Sequence, residues 1–328
     1  MKETGPTNDL WEVAEHFFDA HPNEKWFKKK SGKISQSVIR SGKELYAIGE
    51  VIGQGLTSKV KDLLSKTGVK AVAKYTGGVG KEVVFVDKKT KLKGVDSEIS
   101  LFEKTVLERL GLLLGFVEIT FENEKKLINE DKYPKCNLGT FDVYSKKRAI
   151  YIMPKFEGRE LVDLLNELPQ DLSVLTDEEF LLWDKIALGC AKALLAVHQK
   201  DVIHGDLKTD QFIVNIIDNK VDIYLIDFGC SIPLSGNETH RLKTPNKDPI
   251  YASPEAQAGE FHKASDIFSL GKIFEEFPTD DEMLTLIDQM CKQNPDDRKT
   301  LSGIVGFFED KVATLELTSP LKNQLNIN

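Results

Sequence analysis

The hydrophobic pattern of this chain changes once, near residue 154, and this change constrains the fold more than any other feature. Upstream, residues 45–75 form three short apolar runs separated by glycine-bearing turns, which predicts a strand meander. Downstream of Gly158, apolar residues recur at helical spacing, most clearly in a long helix that Thr176 opens with Glu179 as its capping partner. We therefore predict an α+β chain with a small β-rich part followed by a mainly helical part.

Three further elements are predicted in the β-rich part. Helices are expected near residues 9–20 and from about 97 to 110, where apolar side chains fall on one face. Residues 140–144 and 149–153 are expected to pair as a hairpin across residues 145–148.

Composition excludes several classes of protein. The formal net charge is −8, with lysine concentrated in the first third, so a general nucleic-acid binder is not expected. The four cysteines lie far apart without metal-binding spacing, which is typical of reduced thiols in an intracellular, cytoplasmic protein. No apolar run approaches 18 residues, so no transmembrane segment is predicted.

Two short motifs carry the chemistry. The first is His204-Gly205-Asp206-Leu207-Lys208, and the second is Asp227-Phe228-Gly229, which follows a short apolar run. Phosphoryl transfer needs a carboxylate to accept the hydroxyl proton, a carboxylate to hold Mg²⁺, and a cation to offset phosphate charge. Asp206, Asp227 and Lys208 can supply these three groups, although each motif alone could also be an ordinary polar turn.

Five more motifs occur in an order that resembles the eukaryotic-like protein kinase superfamily over residues 45–305. They are Gly53-Gln54-Gly55-Leu56-Thr57-Ser58-Lys59-Val60, Ala71-Val72-Ala73-Lys74, Ser253-Pro254-Glu255, Ser265-Asp266-Ile267-Phe268-Ser269-Leu270-Gly271 and Pro295-Asp296-Asp297-Arg298. The resemblance implies a bilobal kinase fold, with a β-rich N-lobe containing one key helix and a mainly helical C-lobe. The expected domains are an extension over 1–44, an N-lobe over 45–153 with insertions near 76–95 and 118–138, a C-lobe over 154–310, and a tail over 311–328.

The resemblance also assigns expected roles around ATP. Lys74 would contact the α- and β-phosphates, and a carboxylate on the following helix, Glu103 or Glu98, would pair with it. Glu103 is favoured because it lies closer to the centre of the apolar helix face, where a buried charge needs a partner. The other residues expected at the nucleotide are Gly53, Gly55, Ser58, Val60, Met153 as gatekeeper, the Pro154 carbonyl, the Phe156 amide and Asp227.

Four departures from the family pattern stand out. Ser58 replaces the third glycine of the loop, and Gln211 replaces the asparagine that shares Mg²⁺ (or Mn²⁺) with Asp227. Gly205 replaces an arginine that grips a phosphorylated activation segment, so switching by segment phosphorylation is not expected. Asp248 stands where a threonine usually contacts the catalytic aspartate.

Lobe proportions also depart from the family. Only one helix, near 281–292, is expected between Asp266 and Arg298, so the C-lobe is trimmed while the N-lobe is enlarged. This architecture is similar to that of kinases that some bacteria inject into host cells, which would place the protein in the host cytosol.

Two lysine clusters of the N-lobe, within residues 25–33 and 81–93, have two interpretations. They form a solvated basic face, or they bind a polyanionic activator such as an inositol phosphate or a phosphoinositide headgroup.

Three functions follow from the sequence. The first is an ATP- and Mg²⁺-dependent kinase acting on serine or threonine of a protein substrate, an atypical member of its superfamily. The second is a small-molecule or lipid kinase of the same fold, which the His-Gly-Asp form favours and Lys208, Glu255 and Arg298 oppose. The third is a pseudokinase binding module, for which Gln211 is the main argument.

Overall fold

The computed structural model describes residues 8–31, 34–54, 58–76, 83–87, 93–96, 102–120, 135–138, 141–144, 147–236, 239–242, 245–246 and 248–318. The chain divides into two compact units, Met1–Lys155 and Phe156–Asn328. The division falls two residues beyond the predicted boundary at 153, because Pro154 still belongs to the last strand of the unit and Lys155 forms an ion pair with Asp62.

The N-terminal unit consists of eleven strands and two helices within the described residues. They are α1 (Asn8–Ala20), β1 (Trp26–Ser31), β2 (Ile34–Ser41), β3 (Glu44–Gln54), β4 (Ser58–Ser65), β5 (Lys70–Thr76), β6 (Val83–Asp87), β7 (Lys93–Asp96), α2 (Glu103–Leu110), β8 (Gly115–Thr120), β9 (Lys135–Leu138), β10 (Phe141–Tyr144) and β11 (Lys147–Pro154).

A seven-stranded antiparallel sheet, in the order β1-β2-β3-β4-β5-β11-β8, organises this unit. The sheet curls enough for Trp26 of β1 to meet Tyr75 of β5 edge to face, with ring centroids 6.2 Å apart. The curl encloses a core that includes Tyr46, Leu63 and Ile152. The predicted extension over 1–44 is therefore integral to the sheet, since β1 and β2 extend it.

The predicted hairpin between residues 140–144 and 149–153 is wrong. Strand β10 pairs with β6 and β9 in a separate four-stranded sheet, whereas β11 pairs with β5 and β8. The sequence identified both strands but not their partners. Ile150 and Ile152 are buried against the core of the larger sheet, and this long-range packing outweighs the short connection.

The C-terminal unit is mainly helical and contains the two predicted loop motifs. Its elements are β12 (Arg159–Glu160), α3 (Leu161–Asn166), α4 (Asp177–His198), β13 (Val202–Ile203), β14 (Phe212–Ile217), β15 (Lys220–Leu225), β16 (Ile232–Pro233), β17 (Thr239–Arg241), α5 (Pro254–Gln257), β18 (Glu260–His262), α6 (Lys263–Phe274), α7 (Asp281–Met290) and α8 (Leu301–Thr318).

Helix α4 forms the centre of the C-terminal unit. It begins with the predicted capping box, in which the Thr176 side chain accepts from Glu179 N and Glu179 accepts from Thr176 N. Its buried face includes Ile186, Cys190 and Leu194. At Gly189 a Cβ would lie 2.4 Å from Ile223, so only glycine lets the helix approach β15 this closely.

The predicted tail over 311–328 is corrected by helix α8, which continues through residue 310 to Thr318. Lys185 and Lys192 of α4 form ion pairs with Glu316 and Glu309 of α8, so α8 contacts α4 beyond residue 310. Residues 319–328 lie outside the described residues.

Within the described part of the chain, no helix is both long and apolar enough to cross a membrane. Cys190 and Cys291 are free thiols.

Candidate active site

Lys74 lies on β5 between two neighbouring strands, opposite Val60 of β4 and Tyr151 of β11. It is 5% exposed, and its Nζ lies 2.6 Å from Oε1 of Glu103, which is 1% exposed. A pair buried this deeply costs desolvation energy that attraction only partly returns. Such a pair is therefore weak evidence for stability, and a functional role explains it better. Glu98, the other candidate partner, lies outside the described residues.

Glu103 is held by the start of α2. It is the first residue of that helix, where a carboxylate interacts favourably with the helix dipole. Val106 and Leu107 of the same helix are also buried, so the helix face that carries Glu103 is turned toward the protein interior. Burial, together with the charge of Glu103, raises the pKa of the neighbouring Tyr151 hydroxyl.

The predicted nucleotide residues fall at several places. In the N-terminal unit, Gly53 pairs with Val60, Ser58 is buried opposite Thr76, and Met153 and Pro154 end β11 opposite Val72 and Ala71; Gly55 lies outside the described residues. Phe156, the first residue of the C-terminal unit, stacks on Tyr224 with ring centroids 4.3 Å apart.

The two loop motifs are brought together by the β14–β15 hairpin. Phe212 pairs with Leu225, and Ile226 N donates to Gln211 O at 2.8 Å. This register places Gln211 beside the residue that precedes Asp227. Asp227 has φ 59°, a left-handed conformation that non-glycine residues rarely adopt and that marks a constrained position.

Asp266 of α6 accepts hydrogen bonds from the backbone of the first motif. Its Oδ2 accepts from His204 N at 2.7 Å, and its Oδ1 accepts from Gly205 N at 2.9 Å. His198 Nε2 also lies 2.8 Å from Oδ2. These contacts fix the backbone immediately before Asp206.

Asp206 and Lys208 form an ion pair, with Nζ and Oδ2 3.1 Å apart. Burial raises the pKa of Asp206, while Lys208 and His204 lower it and Asp227 raises it further. Asp248 Oδ2 lies 3.9 Å from Lys208 Nζ, so the lysine has a carboxylate on two sides. Burial lowers the pKa of Lys208, but Asp206 and Asp248 outweigh this effect and the net shift is upward.

The backbone at Gly205 leaves no room for a side chain, so an arginine does not fit at this position. Its φ is +80°, and a Cβ there would lie 2.8 Å from the Cys230 carbonyl oxygen. Any side chain would therefore be strained at this position. Ser231 Oγ donates to the His204 carbonyl at 2.9 Å, so the loops contact each other directly.

Asn246 is a site residue that the sequence did not reveal. Its Nδ2 donates to Gly205 O at 3.0 Å and to Asp206 Oδ1 at 3.3 Å. Asp248, which the sequence did single out, accepts from Ile250 N and Tyr251 N through Oδ1. The signal for Asn246 was absent because an asparagine three residues before a proline is an ordinary loop pattern.

Some buried polar side-chain atoms at or near the predicted site residues have no hydrogen-bond partner among the described residues. Among the described residues, four buried side-chain atoms have no hydrogen-bond partner: Glu103 Oε2, His204 Nδ1, Gln211 Oε1 and Tyr75 Oη. Buried polar atoms are nearly always satisfied, so such exceptions need an explanation. Two of the four are side-chain oxygens at positions already assigned to phosphate or metal chemistry.

The donor set fits Mg²⁺. Gln211 offers an unpartnered amide oxygen, its backbone carbonyl accepts from the residue before Asp227, and Asp227 offers a carboxylate. Mg²⁺ is typically held by one or two protein oxygens, with substrate phosphates and water completing the shell. The described residues contain no group of three or more His, Cys, Asp or Glu side chains arranged to hold a metal by themselves.

Glu255 and Arg298 form a second buried ion pair. Two guanidinium nitrogens of Arg298 donate to the two carboxylate oxygens at 2.6 and 2.9 Å. Burial works to raise the pKa of Glu255, but the hydrogen bonds from Arg298, its own backbone, Ser253 and Ser265 hold it at about 2.

Comparison with known proteins agrees with this geometry. The family model "Protein kinase domain" matches residues 46–285, more than half of the chain. Serine/threonine-protein kinase 33 of Bos taurus is 25% identical over 74% of this chain and 44% of its own length. Calcium-dependent protein kinase 31 of Arabidopsis thaliana is 24% identical over 70% of this chain and 40% of its own length.

A third relative, calcium-dependent protein kinase 22 of Arabidopsis thaliana, is 29% identical over 40% of this chain and 25% of its own length. The chain thus spans less than half the length of the curated relatives it matches. The family match confirms the predicted α+β bilobal kinase fold, and protein kinase domains in general use ATP and a divalent metal. The chain belongs to the protein kinase family.

Proposed function

We propose that the chain transfers the γ-phosphate of ATP to serine or threonine hydroxyls of a protein substrate in a Mg²⁺-dependent reaction. The observation that carries this proposal is the Asp206–Lys208 pair, 3.1 Å apart, together with Gln211, whose backbone oxygen accepts from the residue that precedes Asp227. A carboxylate for the proton, a cation for the phosphate and oxygens for the metal are the groups that phosphoryl transfer needs.

Each residue has a distinct role in this proposal. The Asp206 carboxylate accepts the proton of the attacking hydroxyl, and Lys208 neutralises charge on the transferred phosphoryl group. Asp227 and Gln211 would hold Mg²⁺ (or Mn²⁺), which supplies charge neutralisation at the phosphate oxygens when it is bound.

The N-terminal unit contributes nucleotide binding. Lys74, oriented by Glu103, binds the α- and β-phosphates. The residues proposed to surround the rest of ATP are Gly53, Gly55, Ser58, Val60, Met153, Pro154 and Phe156.

Incubation with labelled ATP, Mg²⁺ or Mn²⁺ and generic protein substrates tests the proposal. We expect label on protein with the wild type and its loss with Asp227→Ala. Asp288→Ala is the matched control, because Asp288 is an exposed aspartate on α7, away from both motifs. Equal labelling by wild type and Asp227→Ala would contradict the proposed role of Asp227.

The same assay separates the alternatives. Turnover of ATP with a small-molecule or lipid acceptor, but none with protein, would indicate the second function. Binding of ATP without turnover under either metal would indicate a pseudokinase. The intact Glu255–Arg298 pair favours the protein kinase, because small-molecule kinases with a similar catalytic loop generally lack it.

We further propose that a polyanionic ligand, such as an inositol phosphate or a phosphoinositide headgroup, binds lysines of the N-terminal unit. Burial lowers the pKa of Lys61, and the charges of Lys59 and Lys28 lower it further, so cations crowd together on this sheet. Titration of inositol hexakisphosphate by calorimetry should release heat, and Lys28→Gln, in the first lysine cluster, should reduce it. No heat and no effect on the kinase rate would rule the ligand out. Cytoplasmic location and an origin as a secreted bacterial effector stay predictions.

A further inference from the structure

Asn246 lies in the activation segment, the part of the chain between Asp227-Phe228-Gly229 and Ser253-Pro254-Glu255. Every polar atom of its side chain forms a hydrogen bond, and two of these bonds reach the catalytic loop, His204 to Lys208. Nδ2 donates to Gly205 O at 3.0 Å and to Asp206 Oδ1 at 3.3 Å, while Oδ1 accepts from Asp248 N at 2.9 Å. Its backbone N also donates to Ala256 O at 3.1 Å. Both the side chain and the backbone of Asn246 are therefore held by hydrogen bonds.

These partners determine the orientation of the amide. An amide has two N–H donors on one side and an acceptor oxygen on the other. Both neighbours of Nδ2 are acceptors and the neighbour of Oδ1 is a donor. The reversed orientation would lose all three hydrogen bonds.

The two oxygens of the Asp206 carboxylate are consequently held by different groups. Oδ2 lies 3.1 Å from Lys208 Nζ, and Oδ1 lies 3.3 Å from Asn246 Nδ2. With both oxygens engaged, rotation of the carboxylate is restricted. A donor on a carboxylate also favours its ionised form, which is the form that can accept a proton.

We propose that Asn246 is a positioning residue that aims the Asp206 carboxylate and keeps it ionised without a phosphate on the activation segment. This inference rests on the proposed function of Asp206. In the kinase family, the residue at the position of Asp248 usually contacts the catalytic aspartate. Here we assign that contact to Asn246. Asp248 instead faces Lys208 and caps the following turn.

Several charged groups share the surroundings of Asp206 and set the background for the test. Lys208 and His204 favour the ionised form of Asp206, whereas burial and Asp227 oppose it. Asp248 acts indirectly by sharing Lys208. Removing the Asn246 donor should therefore raise the pKa of Asp206 while leaving all these groups in place.

Two variants separate the donor from the rest of the side chain. Asn246→Ala removes all three contacts. Asn246→Asp keeps the shape and the acceptor for Asp248 N but turns an oxygen toward Asp206 Oδ1. We expect kcat to fall about tenfold for Ala, because only the orientation of the base is impaired, and on the order of 100-fold for Asp, which approaches loss of the general base, with KM for ATP unchanged.

Asn294→Ala is a matched control. Asn294 Oδ1 also accepts from the backbone N–H two residues later, at 3.3 Å from Asp296 N, but its side chain contacts only its own turn. This variant should keep the wild-type rate. Asn246→Ser, which restores a short hydroxyl donor, should recover part of the loss seen with alanine.

The decisive readout does not require activity. The pKa of the Asp206 carboxyl can be followed by ¹³C NMR titration, assigned through Asp206→Asn, in the wild type and in Asn246→Ala. A higher Asp206 pKa in the variant, with an equal shift of the acid limb of the kcat profile, supports the proposal. An unchanged pKa overturns it, even if the wild type proves inactive and the proposed function fails. A rate within twofold of wild type for Asn246→Asp would overturn it as well.

Discussion

The Lys74–Glu103 and Glu255–Arg298 ion pairs differ in how completely their hydrogen bonds are satisfied. In the C-terminal unit, all five N–H donors of Arg298 are used, on the two Glu255 oxygens and on the carbonyls of Lys292, Ala264 and Gln293. In the N-terminal unit, Glu103 Oε1 binds Lys74, while Glu103 Oε2 is buried with no partner among the described residues.

This difference separates a structural pair from a functional one. The Glu255–Arg298 pair ties four backbone or side-chain segments together, and its loss would orphan several carbonyls. The Lys74–Glu103 pair keeps unused hydrogen-bonding capacity in a buried place, which is costly unless another group engages it. We therefore expect the two pairs to respond in opposite ways to the same type of substitution.

The largest expected effect is on catalysis. The double variant Lys74→Met/Glu103→Leu should lower the rate of phosphoryl transfer on the order of 1,000-fold, because a positioned cation at the phosphates is lost. Its free energy of unfolding should change by less than about 1 kcal/mol, since apolar side chains of similar volume replace a buried ion pair at little cost. Kinase assays and denaturant unfolding would measure both quantities, and a loss of stability with a normal rate would reverse our assignment.

The matching double variant of the other pair should mainly affect stability. Glu255→Leu/Arg298→Met leaves the carbonyls of Lys292, Ala264 and Gln293 without donors, so we expect the free energy of unfolding to fall by about 3 kcal/mol or more. Denaturant unfolding followed by circular dichroism would show this. A variant as stable as the wild type would mean that the two pairs do not differ.

Acid should weaken the structural pair over a defined range. The pKa of Glu255 is about 2 in the folded chain and about 4.3 in an unfolded one. Its contribution is therefore fully present above about pH 4.3 and is lost as the pH falls toward 2. Thermal melts of the wild type and Glu255→Gln should converge over this range; a constant difference in melting temperature would speak against the shift.

The smallest expected effect concerns the rate. Because burial raises the pKa of Asp206, its ionised fraction, and with it kcat, should still be rising with pH above the usual range of aspartate. A kcat profile with an acid limb at or below an ordinary aspartate pKa, near about 3.9, would not agree with this environment.

The sequence predicted the local elements well where one pattern decided them. The capping box of Thr176 and Glu179 begins α4 as expected, and the helix periodicity favoured Glu103 over Glu98. Strand partners could not be predicted this way, because the partners of β10 and β11 depend on packing against strands that are distant in the sequence. Asn246 escaped notice for a similar reason, since its role depends on two loops that only the folded chain brings together.

The most direct test of the central claim separates nucleotide binding from phosphoryl transfer in Asp206→Asn. The substitution keeps the shape of the side chain and removes the proton acceptor. We predict ATP affinity close to that of the wild type, measured by calorimetry with Mg²⁺, and a rate of phosphoryl transfer reduced by about 100-fold or more. Wild-type transfer by Asp206→Asn would contradict the account, because the hydroxyl proton would then have another acceptor.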